Sequence, residues 1–101
     1  MPRALEHPEL ADVSIEQVLA ALADPVRLEI VRMLATADEP LACGTVTDNI
    51  PKSTASHHWK VLRKAGVIRQ TSSGTSRLNA LRRRELNATF PGLLNAVLRS
   101  R

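Results

Sequence analysis

Tyrosine is absent from this chain of 101 residues, and Trp59 and Phe90 are its only aromatic side chains. Modules that hold RNA or single-stranded nucleic acid stack bases on aromatic faces, so this shortage argues against them. The single cysteine, Cys43, cannot form an intrachain disulfide, which fits a reducing compartment. No apolar run approaches the roughly 20 residues of a membrane span. The opening MPRALEHPEL has no apolar signal-peptide core, so no membrane partner and a cytoplasmic location are expected. There is no phosphate-cradling glycine loop, and Cys43 and the three histidines form no nucleophile–base pattern, so nothing points to an enzyme.

The most telling shortage is acid in the second half. Residues 51–101 hold eleven Lys/Arg against one acid, Glu85, a net of +10. Residues 1–50 hold three Lys/Arg against nine acids, a net of −6. The overall charge of +4 conceals this division. A basic half of this kind indicates a polyanion partner, and with base stacking disfavoured the partner expected is duplex DNA.

The length suits one domain, residues 1–101, with a modest core that a dimer would enlarge. Residues 1–13 show no strong pattern, although Leu5, Leu10 and Val13 can pack along a partner helix. Ser14-Ile15-Glu16-Gln17 is a capping-box signature, and Val18, Leu19 and Leu22 give the first helix its apolar face; it should reach about Ala23 and can begin as early as Pro8. Asp24-Pro25 starts a second helix, with Asp24 as N-cap and Pro25 in the first position. Leu28, Ile30, Val31 and Leu34 carry it to about Ala37. A short third helix is expected from Cys43 or Gly44 to Asn49, weakened by the β-branched Thr45 and Thr47.

The fourth helix should begin at Lys52 or Ser53. Ala55, Trp59, Leu62 and Ala65 fall on one stripe, and Gly66 stands where a terminating glycine belongs. Residues 67–71 and 76–81 read as two strands around a turn at Ser72-Ser73-Gly74-Thr75. Arg82 to Leu86 opens a short helical turn, and a last helix starting at Pro91 carries Leu93, Leu94, Val97 and Leu98. The fold class expected is mainly α with a small β-hairpin, in the order α-α-α-α-β-β-α.

A polar helix held by a buried stripe, preceded by a short helix and followed by a hairpin, is the pattern of a winged helix-turn-helix, whose recognition helix offers its N-terminal residues to base edges. Here those residues are Lys52, Ser53, Thr54, Ser56 and His57. His57 can donate to guanine N7 or O6, whereas serine and threonine select weakly. Lys60, Arg63 and Lys64 are placed for phosphates, and Arg77 in the wing for the minor groove or the backbone. A solvated basic helix and hairpin without a ligand is the bland alternative. The stripe, the glycine stop, the hairpin and the charge occurring together favour DNA.

These segments resemble the ArsR/SmtB family of bacterial winged-helix repressors, with its pattern D-P-x-R-x-x-I-x-x-x-L followed by S-x-H-[LW]-x-x-L-x-x-A-G-[LV]. Asp24, Pro25, Arg27, Ile30 and Leu34 match the first part; Ser56, His58, Trp59, Leu62, Ala65, Gly66 and Val67 match the second. The resemblance covers about residues 15–82 and implies a homodimer formed through the first and last helices. It further implies double-stranded operator DNA as partner, and an inducer, often a metal ion, that tunes affinity. The chain departs from the metal-sensing branch, which has paired cysteines in the third helix or Asp/His pairs in the last. LACGTVTDNI has one cysteine, and LNATFPGLLNAVLRSR has neither acid nor histidine.

His7, among Glu6, Glu9 and Asp12, and Cys43 remain the candidate ligands for a divalent metal such as nickel or zinc. Cys43 reads first as a small buried residue, then as a redox-sensitive thiol or one ligand of a site shared across a dimer. His58 reads as a packing and polar-anchor residue. The sequence therefore points to a dimeric transcriptional regulator, a repressor by resemblance. Its rivals are a metal-responsive regulator with an interface site and a winged-helix module that docks another protein.

Overall fold

Local capping signals set where the first two helices start. The computed structural model describes residues 3–100; residues 1, 2 and 101, the ends of the expected 1–101 domain, lie outside the described residues. Helix α1 spans Ile15–Leu22 and opens on the capping box: the Gln17 amide donates to Ser14 Oγ, and Gln17 Oε1 accepts from the Ser14 amide. Helix α2 spans Pro25–Thr36, with the Asp24 carboxylate accepting from the Arg27 amide at 3.0 Å. Helix α4 spans Lys52–Lys64, and helices α5 and α6 span Arg83–Thr89 and Leu93–Arg99. Helix α3 is a single turn, Cys43–Val46. It stops short of the expected Asn49 because the Thr47 hydroxyl donates back to the Cys43 carbonyl at 2.8 Å and the backbone leaves helical geometry there.

The sheet is larger than a hairpin. Strands β3 (Ile68–Ser73) and β4 (Ser76–Leu81) form the expected wing, closed by Gly74-Thr75 with Gly74 at φ 63°. A two-residue hairpin with positive φ only at its first position favours glycine there. Two further strands escaped the sequence reading: β1, Arg3–Ala4, and β2, Leu41–Ala42. All neighbours are antiparallel, in the order β1-β3-β4-β2.

The N-terminal segment differs from expectation in another way. Leu10 and Val13, expected against a partner helix, are buried in this chain's own core, and Leu10–Asp12 forms a 3-10 turn separate from α1. Leu10 packs where Gly66 lies at φ 78°; a Cβ there would stand 2.5 Å from Leu10 Cδ2. Gly66 thus both ends α4 and admits the N-terminal segment. The expected helical turn after Arg82 is a complete helix, and α6 begins at Leu93 rather than Pro91 because Gly92 takes the left-handed N-cap position. Val18, Val31, Leu62, Val67 and Ile68 are wholly buried and join α1, α2, α4 and the sheet in one core.

Candidate nucleic-acid interface

Helix α4 is held from three sides by side chains with polar ends. Ala55, His58, Trp59 and Leu62 form its buried face. The Arg27 guanidinium, on α2, donates to the last carbonyls of α1: Nε to Ala21 at 2.6 Å and Nη2 to Ala20 at 3.4 Å. Its Nη1 lies 3.1 Å from His58 Nδ1. An arginine can only donate, so Nδ1 accepts and the ring proton sits on Nε2. Asp24 Oδ2 lies 3.9 Å from the same ring nitrogen. Its carboxyl pKa is lowered, chiefly because it accepts the Arg27 amide. On the other side the Trp59 indole donates to Thr47 Oγ1 at 3.3 Å, joining α4 to the turn that follows α3. The Asp24, Arg27, His58 and Trp59 positions of the two motifs are thus one structural unit that orients α4.

The outward face of α4 is polar throughout. Lys52, Ser53, Thr54, Ser56, His57, Lys60 and Lys64 are exposed, as is Arg77 on β4. A groove of about 750 Å³ separates the wing from α3 and the start of α4, lined among others by Thr45, Asp48, Lys52, Ser56 and Arg77. Eight of the nine residues expected at DNA are therefore on open surface. Arg63 is placed elsewhere: it is half-buried, and its Nη1 donates to the Glu6 carbonyl at 3.0 Å, tying α4 to the N-terminal segment. Phosphate contact as read for Arg63 would need its guanidinium to leave that partner.

Several basic residues of the second half are consumed by the fold. Arg82 is buried and donates to the Pro8 carbonyl and to Glu85. Arg69 reaches the other oxygen of Glu85 at 3.2 Å. The two guanidiniums, Arg82 foremost, hold the Glu85 pKa down at about 2. Arg83 donates to the Ala35 carbonyl at 2.8 Å. Exposed cations remain on α4 and the wing as Lys52, Lys60, Lys64 and Arg77, and on α5 and α6 as Arg83, Arg84 and Arg99.

His7 and Cys43 both lie beside Gln70, on opposite parts of that residue. His7 Nε2 accepts the Gln70 amide at 2.8 Å, extending the pairing of the N-terminal segment with β3. Burial lowers its pKa, and Arg69 and Arg82 add to the effect. The half-buried Cys43 sulfur accepts from Asn79 Nδ2 at 3.1 Å and from Gln70 Nε2 at 3.7 Å. Burial pushes its thiol pKa up, against the thiolate form that oxidation and metal binding need. Among the described residues no group of three or more His, Cys, Asp or Glu is placed to hold a metal ion. The amides of Gln70 and Asn79, joined at 2.7 Å and buried beneath the wing, went unnoticed in the sequence. Their only signal is a polar residue at an inward strand position beside Ile68 and Leu81.

Helix α4 behind the turn from α3, with the β3–β4 wing beside it, defines a winged helix-turn-helix. Residues 22–71 match the family model described as a helix-turn-helix domain. The chain is 36% identical over 83 residues to the uncharacterized HTH-type transcriptional regulator YceK of Bacillus subtilis, covering 80% of this chain and 83% of that one. It is 33% identical over 60 residues to the uncharacterized HTH-type transcriptional regulator MJ1325 of Methanocaldococcus jannaschii, covering 58% and 67% respectively. The chain belongs to the helix-turn-helix family of transcriptional regulators. No helix among the described residues is long and apolar enough to cross a membrane.

Proposed function

We propose that this protein is a cytoplasmic, sequence-specific double-stranded DNA-binding regulator of the ArsR type that acts as a homodimer and represses by occupying its operator. The observation that carries the reading is the exposed face of α4, polar along its whole length, beside a wing bearing Arg77. Ser56 and His57 offer hydrogen bonds to base edges from the N-terminal half of the helix. No side chain caps α4, so its first amides are available to a phosphate. Lys52, Lys60 and Lys64 supply charge for the backbone on either side.

Dimerisation is supported by Ile15 and Leu19, one turn apart on α1 and 42% and 45% exposed, with Val97 and Leu98 only partly covered on α6. Two copies joined there would set two α4 helices in successive major grooves, about 34–36 Å apart. Repression then follows from occupancy of promoter DNA.

The test is selection from a randomised duplex library followed by fluorescence anisotropy on the selected and a scrambled duplex. His57→Ala should cost about 1–3 kcal/mol on the selected duplex and little on the scrambled one. Lys60→Ala should weaken both alike and reduce the salt dependence. Enrichment of no sequence, with equal salt-sensitive binding to every duplex, would overturn the reading.

A further inference from the structure

The charge pattern assigns Arg3 to the acidic half of the sequence, but the fold carries it to the wing. In the β1–β3 register Arg3 stands opposite Ser72, and in the β3–β4 register Ser72 stands opposite Arg77. Residues directly opposed on neighbouring strands project to the same face of a sheet. Arg3 and Arg77 therefore flank Ser72 on one side of the wing, both exposed. Two strand spacings part their backbones, about 10 Å. Two long guanidinium side chains can close that gap on one phosphate or take two consecutive ones, with the Ser72 hydroxyl between them. Arg77 also lines the groove shared with Lys52 and Ser56, so this row of residues borders the recognition helix.

The chain behind Arg3 is firmly held. The Leu5 amide donates to the Gln70 carbonyl at 3.0 Å, and His7 accepts the Gln70 amide at 2.8 Å. Arg63 holds the Glu6 carbonyl, Arg82 holds the Pro8 carbonyl, and Leu10 is buried against Gly66. By contrast Arg3 and Ala4 are exposed and contribute nothing to the core. The anchoring fixes the position of a strand that presents the Arg3 cation at the surface.

We propose that β1 is a third strand of the DNA-binding wing, and that Arg3, Ser72 and Arg77 form a cross-strand clamp for backbone phosphates of duplex DNA beside the groove entered by α4. The clamp rests on the DNA-binding reading above and adds to it a contact from outside the helix-turn-helix. It is sequence-independent, because phosphates carry no base identity.

The experiment measures anisotropy on the selected and scrambled duplexes over a salt series for wild type, Arg3→Gln, Arg3→Lys and Arg77→Gln. Loss of one phosphate contact should flatten the log–log salt slope by about 0.9. For Arg3→Gln that is a weakening of roughly eightfold near 0.1 M salt relative to a 1 M reference, equal on both duplexes. Arg3→Lys should restore most of the slope, and melting temperatures should match wild type because Arg3 is exposed. A wild type that binds tightly and an Arg3→Gln variant with the same slope and affinity would overturn the clamp and leave the regulator intact. A lowered melting temperature with an unchanged slope would also overturn it, reassigning Arg3 to folding. A wild type that selects no duplex would remove the clamp together with the reading beneath it.

Discussion

Replacing Arg27 by alanine removes a link among three helices at once. The lost contacts are those to Ala21, to Ala20 and to His58 Nδ1, at 2.6, 3.4 and 3.1 Å. They do not weigh equally. Ala20 is exposed, so water replaces arginine at its carbonyl with little loss. The short bond to Ala21 is made by a charged donor, a type worth about 1.5–3 kcal/mol. His58 is 8% exposed, and its orphaned nitrogen costs about 1–3 kcal/mol. Arg27→Ala should therefore destabilise the fold by about 3 kcal/mol, a large part of the 5–15 kcal/mol typical of a domain. At this chain length that lowers the melting temperature by roughly 15 °C. Arg27→Lys should recover little, since one ammonium cannot span carbonyls on α1 and a ring on α4. Urea denaturation followed by circular dichroism gives the magnitude, and a cycle with His58→Ala gives the coupling, expected above about 1 kcal/mol. A loss under about 0.5 kcal/mol, or no coupling to His58, would refute the claim that Arg27 orients α4.

Three further outcomes follow from the geometry. Trp59→Phe removes the indole donor to Thr47 and should cost about 1–2 kcal/mol by denaturation, with a larger loss of operator selectivity than of non-specific binding. Glu85 has its pKa lowered from 4.5 to about 2, so its contribution is complete above the unfolded value and disappears as pH falls through about 2. Solvent screening at a side chain 41% exposed holds it to about 1 kcal/mol, so Glu85→Gln should lose that much at pH 7 and nothing in strong acid, as read by denaturation across pH. His7 also has a lowered pKa, so the stability it lends is present above the ordinary histidine value of 6.5 and is lost as pH falls through the folded value. Protonated Nε2 cannot accept the Gln70 amide, and the protection factor of that amide against hydrogen exchange should fall on acidification in wild type but not in His7→Ala.

The elements legible in the sequence were those specified by neighbours in the chain. Ser14 with Gln17, Asp24 with Pro25, and the stripe ending at Gly66 are signals within a turn or two, and α1, α2 and α4 start and stop close to where they indicate. The hairpin was legible because Gly74 lies between two short apolar-containing runs. Strands β1 and β2 were not, because two residues carry no periodicity and their partners lie far along the chain: Ala4 pairs with Thr71, and Leu41 with Asn79. The polar face of α4 was visible from spacing alone. Arg63 shows the limit of that reading, since spacing assigns a position on the helix surface and tertiary structure lays the Glu6 carbonyl against it.

The same limit explains why the motifs hold polar residues at buried positions. An apolar stripe decides which face of α4 turns inward, but hydrophobic burial is non-directional and leaves rotation and sliding loosely set. Hydrogen bonds have preferred lengths and angles, and base-edge contacts tolerate only a few tenths of an ångström. His58 fixes α4 against α1 and α2 through Arg27, while Trp59 fixes it against the turn after α3 through Thr47. Arg63, just over a turn further along, fixes it against the N-terminal segment through Glu6. These contacts reach α4 from different elements, so rotation or sliding that relieves one strains another. If α4 is the recognition helix proposed above, the residues that suit it to reading a base sequence include several that face away from the DNA, and their loss should appear in discrimination between sequences before it appears in charge-driven binding.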